Sequence, residues 1–226
     1  MTKKVIITGS TGMVGKGVLL ECLQDNSIQQ VIAINRSSLN ITHPKLKEII
    51  HQNFLDFEPI KDELNGIDAC FHIMGVSSFG MSEQDYYKLT YSVTEALVNV
   101  LFNINKNITF TYVTGAGTDS SEKGRIMWAR IKGKTENLLF NKGFKDVYAF
   151  RPGGIIPEKG VSPKVWWIKM ILLIAYPIFP ILRLFPSITS TTRIGKAMIH
   201  VLINPLDKKI LVANDINRIT QRIKKQ

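Results

Sequence analysis

A glycine-rich loop follows the first apolar run of the chain directly and restricts the folds that the chain can adopt. Residues 5–8 form a β-branched run that leads into Gly9-Ser10-Thr11-Gly12-Met13-Val14-Gly15, and the apolar residues behind it recur at helical spacing. In such a unit the first glycine permits a tight turn, the second lets the backbone approach a pyrophosphate, and the third lets the helix pack on the strand. The helix N-terminus contributes partial positive charge. The loop is predicted to bind a dinucleotide; a plain structural turn is the alternative, because glycine turns are common.

The residues at the end of the second apolar run indicate which dinucleotide is bound. That run ends in Asn35-Arg36-Ser37-Ser38, with no carboxylate to hold a ribose 2′-hydroxyl. A guanidinium and hydroxyl groups suit a 2′-phosphate instead. We therefore expect NADP(H) to be preferred over NAD(H), and a solvated surface arginine is the alternative for Arg36.

Short apolar runs alternate with amphipathic segments over the first two-thirds of the chain. Helical spacing is found in residues 13–23, in a long segment opened by a capping pair of Ser82 and Asp85, and in residues 127–140. Strands are predicted at residues 5–8, 31–34, 49–50, 69–73, 110–113 and 147–150. Alternating strands and helices predict an α/β fold, a Rossmann-type doubly wound parallel sheet with a small C-terminal helical appendage.

The pattern changes after residues 151–154, so we place a nucleotide-binding domain at residues 1–157 and a substrate-covering appendage at residues 158–226. The appendage holds a helical stripe at residues 194–202, a short strand at residues 210–212, and an apolar run at residues 165–185 that contains two tryptophans. Three interpretations of this run stay open: a substrate lid or buried core, a peripheral membrane anchor, and a membrane span, which the two prolines within the run disfavour.

Charge and composition narrow the class of protein further. The 226 residues carry a formal net charge of +11, of which the last 62 residues contribute +8. No nucleic-acid module accompanies this charge, and we expect no nucleic-acid partner. The four histidines show no ligand spacing with each other or with Cys22 and Cys70, so no metal site is expected. The unpaired cysteines and the lack of a signal-peptide core predict a cytoplasmic location, with membrane-peripheral contact as an alternative.

Together, the loop at residues 9–15, Asn35-Arg36-Ser37, Lys132 and the turn Arg151-Pro152-Gly153 resemble the extended and atypical short-chain dehydrogenase/reductases. The nearest branch resembles Tat-interacting oxidoreductase-like, NmrA-like and NAD-dependent epimerase/dehydratase proteins. The resemblance implies further cofactor contacts from Asp56 near the adenine, from Met74, Gly75 and Val76 along the adenosine, and from Pro152, Gly153 and Ile155 beside the nicotinamide. For Asp56, a helix cap is an equally weighted alternative.

The resemblance also implies a catalytic Tyr-x-x-x-Lys pair and a hydroxyl behind the fifth strand. Lys132 and Thr114 match the lysine and the hydroxyl, but Trp128 occupies the tyrosine position. An indole N–H donates a hydrogen bond and does not ionise near neutral pH, so the usual proton donor is missing.

The sequence therefore predicts an NADP(H)-binding oxidoreductase that acts on an apolar small molecule. Because of Trp128, a non-catalytic NADP(H)-sensing regulator is one alternative. A peripheral membrane protein that uses residues 165–185 is the other.

Overall fold

Seven parallel strands form one sheet in the computed structural model, which describes residues 2–162, 170, 174, 176, 179–182 and 185–223. In chain order the strands of this sheet are β1 (Lys3–Thr8), β2 (Ile28–Asn35), β3 (Leu46–Ile50), β4 (Ala69–His72), β5 (Thr109–Val113), β6 (Asp146–Arg151) and β9 (Ile210–Val212). Their order across the sheet is β3-β2-β1-β4-β5-β6-β9. Two further strands, β7 (Gly154–Ile156) and β8 (Ile188–Ser190), pair in parallel beside it.

Helices cover both faces of the sheet. They are α1 (Met13–Gln24), a 3-10 helix (Glu58–Leu64), α2 (Glu83–Tyr87), a π-helical turn (Lys88–Ser92), α3 (Val93–Ile104), α4 (Met127–Lys142), α5 (Phe179–Leu182), α6 (Thr191–Ile203) and α7 (Ala213–Ile223). The side chains of a strand alternate between faces. Val5 and Ile7 accordingly join one buried cluster with α1, α6 and α7, while Ile6 joins the other with α3 and α4. The predicted doubly wound α/β fold is confirmed.

The long helical segment begins as its capping residues predict. Ser82 Oγ accepts a hydrogen bond from the Asp85 backbone N–H at 3.1 Å and donates to the Asp85 carboxylate at 2.6 Å. The segment is not uniform, because five residues adopt a π turn between α2 and α3. Such turns bulge one helical face outward and are common at functional sites.

The chain beyond residue 157 contacts the rest of the fold closely. Strand β9 extends the main sheet next to β6, and α6 crosses α1 at a point where only glycine fits. A Cβ atom at Gly17 would stand 2.5 Å from the Thr191 Cβ, and one at Gly195 would stand 2.8 Å from the Glu21 Cγ. These contacts fix the C-terminal helices on the first α-helix.

Most of the apolar run at residues 165–185 lies outside the described residues. The three interpretations of this run therefore stay predictions. Over the described part of the chain, no helix has the length and the apolar character that crossing a bilayer requires.

Candidate functional site

The glycine loop connects the carboxyl end of β1 to the N-terminus of α1, and its geometry excludes side chains. Gly9 has a φ of 78°, a value that L-residues rarely adopt. A Cβ atom there would stand 2.8 Å from the Met74 backbone nitrogen, and one at Gly15 would stand 2.1 Å from the Gly9 carbonyl oxygen. Gly12 precedes α1, where no side chain caps the helix and the first turn holds no acidic residue. The first backbone N–H groups of α1 are thus available to an anion. The loop fits a dinucleotide pyrophosphate.

A hydrogen-bonded chain links this loop to the turn behind β2. The buried Ser10 Oγ donates to Asn35 Oδ1 at 2.8 Å, and Asn35 Nδ2 lies 3.4 Å from Glu48 Oε2. The same Glu48 oxygen accepts from the Leu39 backbone N–H at 2.9 Å. β3 therefore brings a carboxylate to the end of β2, where the local sequence has none.

Arg36 and Ser37 lie at this turn and are exposed. The Arg36 backbone carbonyl accepts a hydrogen bond from Gln52 Nε2 at 2.7 Å. Its guanidinium makes no hydrogen bond or ion pair with any residue that the structure describes. Arg36 can thus contact a phosphate without breaking an existing interaction.

His72 ends β4 and joins three elements around the loop. Its Nδ1 lies 2.7 Å from Thr8 Oγ1, and its Nε2 lies 3.0 Å from Thr94 Oγ1. Thr94 Oγ1 donates its proton to the Thr90 carbonyl oxygen at 2.6 Å, so it accepts from His72 Nε2, which therefore carries the ring proton. Burial and, to a smaller extent, the Lys132 charge lower the pKa of His72 to about 3. The ring is neutral, and it links the start of α3 to Thr8, the residue that precedes Gly9.

Lys132 lies on α4 beside the carboxyl end of β5. Its Nζ donates to the Thr114 carbonyl oxygen at 3.0 Å. Burial lowers the pKa of Lys132 to about 8, against the opposing effect of the Glu136 carboxylate. The hydrogen bond to Thr114, which directly follows β5, places the ammonium at the carboxyl end of that strand.

The hydroxyl of Thr114 belongs to a buried ionic network. Thr114 Oγ1 donates to Glu136 Oε1 at 2.6 Å. Arg151 Nε donates to the same carboxylate at 3.0 and 3.2 Å, and the Arg151 Nη2 also binds it. Glu136 is 1% exposed, so the neighbouring guanidinium is what compensates its charge. The structure thus places the Thr114 carbonyl beside Lys132 and directs the Thr114 hydroxyl proton to Glu136.

Trp128 lies one helical turn before Lys132 on α4 and packs towards the loop behind β5. A Cβ atom at Gly117, whose φ is 91°, would stand 3.6 Å from the Trp128 ring. Trp128 is half-buried. The indole therefore lies on the same face of α4 as Lys132.

The remaining predicted site residues lie at the carboxyl edge of the sheet. Met74, Gly75 and Val76 follow β4 after one intervening residue, and there Met74 is partly exposed and Val76 is exposed. The Pro152 carbonyl accepts from the Ala116 N–H at 2.8 Å, which ties the turn behind β6 to the loop behind β5.

In that turn, Gly153 comes so near Ser187 that a Cβ atom would stand 2.4 Å from its carbonyl oxygen. Ile155 lies in β7 and packs against the core. The Asp56 carboxylate accepts a hydrogen bond from the Glu58 N–H at 3.0 Å, just before the 3-10 helix, whose N-cap residue is Phe57.

Three residues of the site were not found by sequence reasoning: Glu48, His72 and Glu136. Each acts through a partner distant in sequence, so no local spacing marks it. For Glu136, one signal was available, because a glutamate four residues after Lys132 lies on the same helical face.

Comparison with known proteins agrees with this geometry. Residues 5–121, more than half of the chain, match the NAD dependent epimerase/dehydratase family. The protein HTATIP2 of Rattus norvegicus is 24% identical over 176 residues, which cover 74% of this chain and 68% of that protein. The mitochondrial protein FMP52 of Debaryomyces hansenii is 22% identical over 218 residues, 88% of each chain.

Solved structures show the same fold. Gre2 from Candida albicans, solved in complex with NADPH, has a TM-score of 0.69 at 16% identity, over 93% of this chain and 78% of that one. The ADP-L-glycero-D-manno-heptose-6-epimerase of Helicobacter pylori has a TM-score of 0.67 at 15% identity, over 100% of this chain and 82% of that one.

Proposed function

Because the chain belongs to the NAD dependent epimerase/dehydratase family, we propose that it is an oxidoreductase that binds NADP(H) at residues 9–15 and transfers hydride to or from an apolar small molecule. The observation that carries this proposal is the geometry of the glycine loop at residues 9–15, which leads into the uncapped N-terminus of α1. Side chains are excluded from Gly9 and Gly15 by backbone atoms of the protein itself, and the free N–H groups beside them suit a pyrophosphate.

The preference for NADP(H) rests on Arg36. Its guanidinium is exposed and has no partner among the described residues, and Arg36 follows the second strand, where folds of this kind bind a 2′-phosphate. Glu48 acts in the opposite direction, because its carboxylate repels a phosphate near the Leu39 N–H. Gre2, which has a similar fold, was solved with NADPH, and this agrees with the proposed cofactor.

Calorimetric titration of the protein with NADPH and with NADH tests the cofactor assignment. Losing one charge-assisted hydrogen bond costs about 1.5–3 kcal/mol, so Arg36→Ala should weaken NADPH binding by roughly 10- to 100-fold and leave NADH binding unchanged. Glu48→Gln should strengthen NADPH binding. Arg218→Ala, which removes an exposed arginine on α7, is the matched control and should change neither. Equal losses for both nucleotides in Arg36→Ala would contradict the preference.

A second candidate function is NADP(H) sensing without turnover. Trp128 favours it, because indole cannot replace the phenol that gives the proton in related enzymes. Measuring NADPH oxidation in the presence of quinones and aldehydes separates the two functions. Turnover supports the oxidoreductase, and tight binding of NADPH with no turnover supports the sensor.

A further inference from the structure

The candidate site needs a proton donor, and four of the titratable groups near it are unsuited to that role. His72 is neutral, and both of its ring nitrogens are hydrogen-bonded. Burial raises the pKa of Tyr112 far above neutrality, and it raises that of Tyr86 as well. The Glu136 carboxylate is bound by Thr114 and Arg151. None of these four groups can release a proton readily near neutral pH.

Lys132 differs from all of them. An ammonium has three N–H donors, and only the one directed at the Thr114 carbonyl has a partner among the residues that the structure describes. The Glu136 carboxylate accepts its hydrogen bonds from Thr114 and Arg151, and its charge offsets only part of the effect of burial on the Lys132 pKa. Lys132 also lies next to Trp128 on α4, at the place where a phenol would otherwise deliver the proton.

We propose that Lys132 Nζ is itself the group that gives the proton to the substrate oxygen, a role that rests on the proposed oxidoreductase function. The carbonyl carbon accepts a hydride from NADPH, which becomes NADP⁺. In the same step an N–H bond of the Lys132 ammonium breaks and an O–H bond forms on the former carbonyl oxygen. The neutral amine then takes a proton from water.

The surroundings of Lys132 support this role. A pKa of about 8 keeps the ammonium form predominant at pH 7 and makes its proton easier to release than that of an exposed lysine. The hydrogen bond to the Thr114 carbonyl holds Nζ at the carboxyl end of β5. Thr114 is held in turn through its hydroxyl by Glu136, so the network around Arg151 positions the donor.

Chemical rescue distinguishes a proton donor from a lysine that only binds the cofactor. We would measure NADPH oxidation with 9,10-phenanthrenequinone and 4-nitrobenzaldehyde at saturating NADPH for the wild type, Lys132→Ala, Lys132→Arg and Lys134→Arg. Lys134 is the matched control, because it is exposed on the same helix over the Tyr87 and Tyr91 rings.

Both Lys132 variants should lose kcat by about 10²- to 10⁴-fold. Ethylammonium should restore part of the Lys132→Ala rate. Tetramethylammonium has no transferable proton and should restore none of it. Lys134→Arg should match the wild type. The rate of the wild type should fall above pH 8, and the residual rates of the Lys132 variants should not. This difference in pH dependence supports the same assignment. Full activity of Lys132→Arg, or equal rescue by both cations, would overturn it.

A readout without turnover separates failure of this proposal from failure of the proposed function. In protein labelled with ¹³C at lysine Cε, the Lys132 signal, assigned by its absence from Lys132→Arg, should titrate near pH 8. Titration near the ordinary lysine value of about 10.4 overturns the role of Lys132 while NADPH binding still stands. A wild type that binds no NADPH refutes the proposed function instead, whatever the titration shows. NADPH binding without reduction of either carbonyl compound supports the sensor and refutes the proposed turnover, and the role of Lys132 as a donor falls with it.

Discussion

The Cβ atom that alanine would place at Gly15 stands 2.1 Å from the carbonyl oxygen of Gly9, so α1 starts closer to the first turn than any side chain allows. This approach fixes the direction in which the first N–H groups of the helix point. The same two glycines therefore determine both the packing of α1 on β1 and the anion site at its end.

Gly15→Ala is expected to lose both stability and NADPH binding. Overpacking of this kind costs about 1–3 kcal/mol or more, because backbone rather than a flexible side chain must move. Gly115→Ala is the control, since no atom lies within 4 Å of its added Cβ, and its stability should stay within about 0.5 kcal/mol of the wild type. Urea unfolding and calorimetric titration measure the two effects. Undiminished NADPH affinity in Gly15→Ala would contradict the assignment of the pyrophosphate site to the glycine loop.

Removing the carboxylate of Glu136 should be among the most destabilising single changes in the protein. Glu136→Ala leaves the largely buried Arg151 guanidinium without its counter-charge, which costs about 3–5 kcal/mol. The exposed pair of Lys61 and Glu58 provides the comparison, and Glu58→Ala should cost no more than about 1 kcal/mol. Urea unfolding should also show that Glu136→Leu combined with Arg151→Met recovers stability relative to Glu136→Ala. A double variant as unstable as the single one would refute the unpaired charge as the cause.

The neutral state of His72 makes stability depend on pH in the acidic range. Its pKa is about 3 in the folded protein and about 6.5 when unfolded, so the unfolded chain binds the extra proton between these values. The free energy of unfolding should therefore fall by up to about 1.4 kcal/mol per pH unit as the pH is lowered from 6.5 towards 3. Denaturant titrations of His72→Gln over that range should lack this contribution. Identical slopes for variant and wild type would show that other groups cause the dependence.

Lys132 should affect stability in the opposite pH range. Its pKa is lowered in the folded state, so between pH 8 and the ordinary lysine value the folded protein loses the proton first and the free energy of unfolding rises with pH. Lys132→Met removes a partly buried charge and is expected to be more stable than the wild type at pH 7, at the expense of activity. Thermal unfolding at pH 7 and pH 10 measures both effects. A Lys132→Met variant less stable than the wild type at pH 7 would be inconsistent with a destabilising charge.

The sheet could be predicted from the sequence because its signals are local. The runs around Ile6 and Ile32 are apolar on consecutive residues, as strands buried on both faces must be, and the glycine loop marks where the first of them ends. The capping pair of Ser82 and Asp85 marked a helix start for the same reason.

The electrostatic part of the site could not be predicted in this way. Glu48 reaches the turn behind β2 only because β3 pairs with β2, and Arg151 meets Glu136 only because β6 packs against α4. The engagement of the Thr114 hydroxyl follows from that pairing. These contacts depend on the register of the sheet, which no spacing within a single segment encodes.

The most direct test of the account is a crystal structure of the protein with NADPH. In that structure the pyrophosphate should lie on the N–H groups at the start of α1, the 2′-phosphate within hydrogen-bond distance of the Arg36 guanidinium, and the nicotinamide beside Lys132 and Trp128. A pyrophosphate bound away from residues 9–15 would contradict it.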